Sequence, residues 1–197
     1  TSDGLPDCEM GACMHVGQHP HLISALGRLS DHPNGTQGLV MPLIAPAFGN
    51  LAGPPSLDSC TRDVYDPNTR IDLDTLLRWA HGIASAMQHL HTCGVTHGDL
   101  YGHNILCAQP GDALLGDFGA ASFFSPDHTH LALGLQRLEV RAFGCLLQEL
   151  LQHCDASHAL ETWQELEKIM HQCLQETPEQ RPLFEHIVSS LPTKETV

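Results

Sequence analysis

One stretch of this sequence constrains its fold more than any other. Leu73, Leu76, Leu77, Ala80, Ile83, Ala84, Met87, Leu90 and His91 recur at i, i+3, i+4 and i+7 over about five turns. An apolar stripe of that length must be covered by a second layer, so it predicts a helix at the centre of a core. Cys93-Gly94 stops the pattern, glycine being the usual residue just past a helix end. Short strand-like runs follow at Val95 to Leu100, Ile105 to Ala108 and Ala113 to Leu115, separated by polar turns. From Leu138 onward the spacing is helical, over 138–152, roughly 159–175 and 182–191, with Pro182 in the last helix's first turn.

Upstream, residues 9–18 predict a short helix ending near Gly17, followed by the turn His19-Pro20-His21. Leu22 to Leu29 and Gly38 to Ile44 read as two strands joined by Asp31-His32-Pro33-Asn34-Gly35. Pro46, Pro54, Pro55 and Pro67 then mark a long loop. The expected architecture is α+β and mostly helical, a small front piece at 1–44 meeting a larger helical piece at 45–197.

Composition excludes several classes of function. Nine basic residues against 23 acidic ones give a net charge of −14, which repels phosphate backbones and argues against a nucleic-acid binder. The longest apolar run, Leu39 to Phe48, is broken by Pro42 and Pro46 and falls far short of the ~20 residues a membrane span needs. The eight cysteines include no CxxC and several sit in apolar helical patterns, as expected of reduced thiols in a cytoplasmic protein. The His89-x-His91 and His128-x-His130 pairs lack an obvious third ligand and are expected to be structural or surface histidines. Only two of the basic residues are lysines, Lys168 and Lys194. The chain begins at Thr1 rather than Met, the expectation being a processed or excised piece.

Polar groups concentrate where a core would be apolar, in His97-Gly98-Asp99-Leu100-Tyr101-Gly102-His103-Asn104 and again in Gly116-Asp117-Phe118-Gly119. Phosphoryl transfer needs an acid to orient an acceptor hydroxyl and oxygen ligands for Mg²⁺ on the phosphates. Asp99, Asn104 and Asp117 are of the right types, since Mg²⁺ takes one or two carboxylates plus phosphate oxygens and water.

The spacing of His97, Asp99, Asn104, Asp117, Phe118 and Gly119 resembles the H-x-D-x-x-x-x-N catalytic loop and D-F-G metal loop of eukaryotic-type protein kinases. At average composition those six residues would coincide on the order of once in 10⁵ to 10⁶ such sequences. Flanking stretches extend the resemblance. His19-Pro20-His21 is similar to the turn after the family's C-helix, and Leu39-Val40-Met41 to the strand entering the hinge. Val140 to Gly144 is similar to the F-helix, and Cys173-Leu174 through Arg181-Pro182 to the last two helices. A weaker resemblance, in Thr1 to Gly4 and Val140 to Leu147, is to bacterial kinase domains appended to leucine-rich repeats.

The resemblance implies a kinase large lobe with a partial small lobe, comprising the C-helix, two strands and the hinge. It implies ATP and Mg²⁺ as cofactors, and a protein substrate or the protein itself as acceptor. Asp99 would orient the acceptor hydroxyl, and Asn104 and Asp117 would bind Mg²⁺. Met41 would be the gatekeeper, Pro42 and Ile44 would offer a carbonyl and an amide to adenine, and Ile105 and Leu106 would pack beneath it. Glu9 is the candidate C-helix glutamate or else a solvated acid in a first helical turn. His103 occupies the slot where tyrosine kinases place an arginine, and is alternatively a surface histidine.

Departures from the pattern matter as much as matches. The family's third-strand lysine and glycine-rich loop would lie upstream of Glu9, so the active site is expected to need an upstream segment. Gly98 replaces the usual arginine, leaving no cation beside Asp99 to receive a phosphorylated activation loop. Tyr101 stands where a lysine is usual. Glu139 takes the F-helix aspartate's place only 22 positions after Asp117, with no Ala-Pro-Glu between. Arg181 therefore lacks its ordinary glutamate partner, and Gln152 to His158 stands where a G-helix is expected. Two alternatives remain open: a pseudokinase acting as a binding module, and a small-molecule kinase resembling the aminoglycoside and choline kinase group.

Overall fold

The structure is a computed structural model that describes residues 6–59, 62–108, 110–125, 127–155 and 160–193. Thr1 to Gly4, Cys60, Lys194 and the end of the expected G-helix region lie outside the described residues.

The stripe becomes helix α2, Leu73–Thr92. Asp72 caps it, its carboxylate accepting from the Thr75 amide at 2.9 Å and the Thr75 hydroxyl at 2.8 Å. Those two bonds to the charged form hold the Asp72 carboxyl below its ordinary pKa. Leu76, Ala80, Ile83, Ala84, Met87 and Leu90 are buried, and so are Trp79 and Ala86, so α2 is enclosed on more than one side. Gly94, at φ +71°, turns the chain out of the helix.

Ahead of α2, helix α1 spans Pro6–Val16 and strands β1 (Gly27–Leu29) and β2 (Gly38–Val40) form an antiparallel pair with Gly27 opposite Val40. Both strands are shorter than the sequence predicts. Residues 21–23 instead bond to Leu115, the Ile23 amide to its carbonyl and its amide to the His21 carbonyl, each at 2.9 Å. Pro42, lacking an N–H, falls just beyond the end of β2.

Strands β3 (Gly49–Asn50), β6 (Ile105–Ala108) and β7 (Asp112–Leu115) make an antiparallel sheet in the order β3-β6-β7. Two smaller pairings staple the loops: β4 (Ile71–Asp72) runs parallel to β9 (Cys154–Asp155), and β5 (Val95–Thr96) antiparallel to β8 (Ser122–Phe123).

Helix α3, Thr129–Gln152, begins nine residues before the predicted Leu138. Leu131, Leu133 and Leu135 are spaced by two, which hides a helical period, and Leu131 is exposed. Helix α4 is Leu160–Cys173 and α5 is Phe184–Ser190, starting just after Pro182 rather than at it. Phe143 and Phe184 meet edge to face at 5.5 Å in the core shared by these helices. Arg181 finds its partners in main-chain carbonyls, donating to Gln175 at 2.8 Å, Arg137 at 3.1 Å and Glu176 at 3.2 Å. Among the described residues no helix is long and apolar enough to cross a membrane.

Histidines join α1 to α2. His89 Nε2 donates to the Val16 carbonyl at 2.7 Å and His15 Nε2 to the Cys93 carbonyl at 2.9 Å. The His19 ring stacks on His89 with centroids 5.1 Å apart, and its Nδ1 accepts from the His21 amide at 3.2 Å. Burial first, then the neighbouring His89 and His21, hold the His19 ring below the ordinary imidazole pKa. The unfolded chain therefore takes up a proton near pH 6.5 that the folded chain refuses, so the seam's stability is present at neutral pH and lost on acidification. The urea midpoint is expected to fall between pH 7.5 and 5.5, and to fall less steeply in His19→Asn. An unchanged pH slope in that variant would count against the seam.

Candidate active site

The polar loop between β5 and β6 is held from beneath by His97, which is fully buried. Its Nε2–H donates to the Gly116 carbonyl at 2.8 Å, and its Nδ1 accepts the Asp99 amide at 3.3 Å. Both nitrogens are thus committed in a neutral ring, and desolvation keeps its pKa below the ordinary value. One imidazole therefore sets the spacing between Asp99 and the Gly116-Asp117 turn.

Gly98 and Glu139 fix the same loop from the other side. The Gly98 amide donates to Glu139 Oε1 at 2.6 Å, and His91 Nε2 bonds to Glu139 Oε2 at 2.7 Å. The carboxylate, 7% exposed, links α2, the loop and α3. Gly98 has φ +82°, and a Cβ there would overlap the Ala120 carbonyl oxygen. The absence of an arginine at this position is thus a steric requirement of the segment that crosses it.

Asp99 is half-buried, and Asn104 turns its amide toward it, Nδ2 donating to both the Asp99 main-chain oxygen and its carboxylate, each at 2.9 Å. Asn104 Oδ1 accepts no hydrogen bond among the described residues. Asp117 is exposed and has φ +59°, a left-handed conformation that non-glycine residues adopt sparingly and that collects at functional turns. Its Oδ1 accepts the Gly119 amide at 3.0 Å, leaving Oδ2 open. Phe118 is buried below it, 5.4 Å from the His97 ring. An open carboxylate oxygen and an open amide oxygen suit Mg²⁺.

Other predicted residues stand further out. Glu9, on α1, has no hydrogen bond or ion pair among the described residues, but its charge and that of Asp117 join burial, the larger cause, in pushing the Cys13 thiol up to about 11. Met41 is exposed, and Pro42 and Ile44 are half-buried in the extended segment after β2. That segment leads into β3, which pairs with β6, Asn50 opposite Leu106. Ile105 is buried and Leu106 half-buried on the same strand.

His103 is drawn away from the open carboxylates. Its Nδ1 donates to Asp63 at 2.8 Å, its amide donates to the same carboxylate at 3.0 Å, and its ring stacks on Tyr101 at 5.4 Å. Asp63 belongs to the proline-rich loop, with Arg62 bound to Glu149 at 2.9 Å and Tyr65 donating to Glu149 at 3.2 Å. Burial and the Glu149 charge push the Tyr65 phenol well above its ordinary range. Nothing in the sequence pattern marks Arg62-Asp63-Val64-Tyr65 as part of the site, because their partners lie across the fold on α3 and the loop. Among the described residues no group of three or more metal-ligating side chains is gathered, and the seven described cysteines are free.

Comparison with known proteins bears on the family of the chain. A family model described as protein kinase domain matches residues 12–163. The chain is 26% identical to the serine/threonine-protein kinase Nek9 of Xenopus laevis over 58% of its length. It is 33% identical to CBL-interacting protein kinase 22 of Oryza sativa subsp. japonica over 60%, and 27% identical to the dual specificity protein kinase pyk3 of Dictyostelium discoideum over 63%. The matched regions span 16%, 24% and 12% of those three relatives, respectively.

Gly98→Arg, which restores the commoner residue, is expected to destabilise the fold by roughly 2 kcal/mol or more, combining positive-φ strain with overlap on Ala120. Chemical denaturation of that variant beside Gly98→Ala measures both contributions. A neutral effect would show that the loop's path is not fixed here.

Proposed function

The chain belongs to the protein kinase domain family, and from that membership we propose that it is the catalytic portion of an ATP-dependent phosphotransferase acting on hydroxyls of protein, its own or a partner's. The observation that carries this reading is the Asn104 amide bridging the Asp99 carbonyl and carboxylate, with His97 and Glu139 locking the loop beneath. In that arrangement Asp99 faces outward to orient an acceptor hydroxyl, while Asn104 Oδ1 and Asp117 Oδ2 hold Mg²⁺. The ion supplies charge neutralisation to the phosphates. Met41, Pro42 and Ile44 serve as gatekeeper and hinge for adenine, with Ile105 and Leu106 beneath the ring and Glu9 in the C-helix position.

On this reading residues 1–44 are a partial small lobe and residues 45–197 the large lobe. The phosphate-binding lysine and glycine-rich loop come from a segment upstream of α1, and a reducing cytoplasm suits the free thiols. Tyr101 favours a second reading, a pseudokinase that binds without turnover, because a phenol carries no positive charge to offer a phosphate where the family places a lysine. The −14 charge sharpens the point, since few cations remain to offset a nucleotide's phosphates.

In the full-length gene product, Asp99→Asn is expected to keep Mg-ATP affinity while losing ~10²-fold or more in turnover, and Asp117→Asn to weaken metal-dependent nucleotide binding itself. Calorimetry and single-turnover kinetics separate the two. Equal loss of ATP binding in both variants defeats the assignment of roles. Binding with no transfer in the unmutated protein decides for the pseudokinase.

A further inference from the structure

Arg62 to Tyr65, in the proline-rich loop, form a strap beside the catalytic loop that is pinned along its length. Arg62 donates to Glu149 at 2.9 Å, to Gln148 at 2.8 Å and to the Cys145 carbonyl at 3.2 Å, all on α3. Val64 exchanges both main-chain hydrogen bonds with Gly53, at 2.8 and 3.0 Å, and the Tyr65 hydroxyl donates to Glu149 at 3.2 Å.

Asp63 stands between these anchors, its side chain 0% exposed. Burying a carboxylate is costly unless its oxygens are bonded. Among the described residues both of its hydrogen bonds come from His103, Oδ2 accepting the main-chain amide at 3.0 Å and Oδ1 the ring Nδ1–H at 2.8 Å. The His103 carbonyl is held in turn, accepting from Asn50 Nδ2 at 3.1 Å. Gly102 lies directly on the strap: a Cβ there would stand 2.9 Å from the Tyr65 hydroxyl and 3.2 Å from Asp63 Oδ2. Both main-chain groups of residue 103 are therefore fixed, and the next residue is Asn104, whose amide bridges the Asp99 carbonyl and carboxylate.

We propose that Asp63 is a positioning residue for phosphotransfer, seating the 102–104 turn so that Asn104 presents Oδ1 to Mg²⁺ and Nδ2 to Asp99. The inference rests on the phosphotransferase reading above. Asp63 acts through His103, whose amide and Nδ1–H are the two pegs of the mount. A turn released from it is free to shift, and a misplacement of about 1 Å at reacting groups costs on the order of 10²-fold in rate. Asparagine at 63 keeps the mount, its oxygen accepting the His103 amide and its –NH₂ donating to Nδ1 once the ring proton sits on Nε2. Alanine removes both pegs.

Two measurements on the full-length gene product test this. In hydrogen exchange without nucleotide, Asp63→Ala should speed exchange across residues 97–106 about tenfold, while Asp63→Asn leaves it near the unmutated rate. In phosphotransfer, Asp63→Ala should lower kcat about 30-fold or more and raise the Mg²⁺ concentration for half-maximal rate about tenfold, with KM for ATP at saturating Mg²⁺ unchanged. Asp63→Asn, and His103→Asn, whose side-chain amide can donate in place of the ring nitrogen, should stay within about threefold of the unmutated kcat. Leu166→Ala, a buried position on α4, is the control that lowers Tm without moving the Mg²⁺ requirement. Should Asp63→Ala fail to fold, Asn50→Ala, at an exposed position, unpins the carbonyl of the same residue and should move the same parameters in the same direction. Unchanged exchange across 97–106, or a lowered kcat with the Mg²⁺ requirement unmoved, overturns the proposal. Loosening of 97–106 in a full-length protein that transfers no phosphate sinks the enzyme reading and leaves Asp63 as the mount of the loop, whereas efficient transfer indifferent to Asp63→Ala does the reverse.

Discussion

Glu139 carries the arrangement on which the site depends. Taking a carboxylate out of water costs several kcal/mol unless its oxygens are bonded, and both are, one to the Gly98 amide and one to the His91 ring. Each bond reaches a different element, so a single side chain on α3 fixes the end of α2 against the start of the catalytic loop. Neither partner has a good substitute. A neutral amide at 139 would have to present a donor to one of them, leaving a buried N–H without an acceptor. His97 then transmits this fixed point to the second loop through Gly116, and Asn104 closes the circuit on Asp99. The rigid part of the site is thus a chain of neutral or fully bonded groups beneath the Asp99 and Asp117 carboxylates, each bonded through one oxygen.

Much of this was legible in the sequence. The apolar stripe from Leu73 to His91 declares α2 because its positions keep one helical period, even though Trp79 and Ala86 are buried outside it. The polar spacing from His97 to Gly119 declares the site because its residues are close in sequence and lie in two short loops. The beginning of α3 was hidden by leucines at alternate positions, and the two front strands were overestimated because residues 21–23 bond to Leu115, far away in the chain. The Arg62, Asp63 and Tyr65 contacts were invisible for the same reason. A proline-rich loop announces only that it is a loop, and its docking on Glu149 and His103 depends on a tertiary approach that no local pattern encodes.

Arg181 illustrates how a lost partner can be replaced. The resemblance to protein kinases leaves its guanidinium without the expected glutamate, yet the residue is buried. Three main-chain carbonyls, two in the turn after α4 and one on α3, take up its donors. A buried guanidinium needs acceptors for its N–H groups, and main-chain oxygens serve where no carboxylate is at hand. The arginine thus ties the turn after α4 to α3, a structural role independent of any activation segment.

The close crossing at Gly98 bears on control. Protein chains that are switched by covalent marking on a loop need slack in that loop and a waiting counter-charge to capture it in a second position. Here the backbone of Ala120 lies against Gly98 so closely that not even a methyl group fits between them, and Ser122 and Phe123 are tied to β5 a few residues later. The loop has one seat, and among the described residues no cation beside Asp99 offers it a second. The crossing therefore gives the Asp117 to Phe123 segment a single path over the 97–104 loop, set by backbone against backbone rather than by any side chain that a covalent mark could redirect.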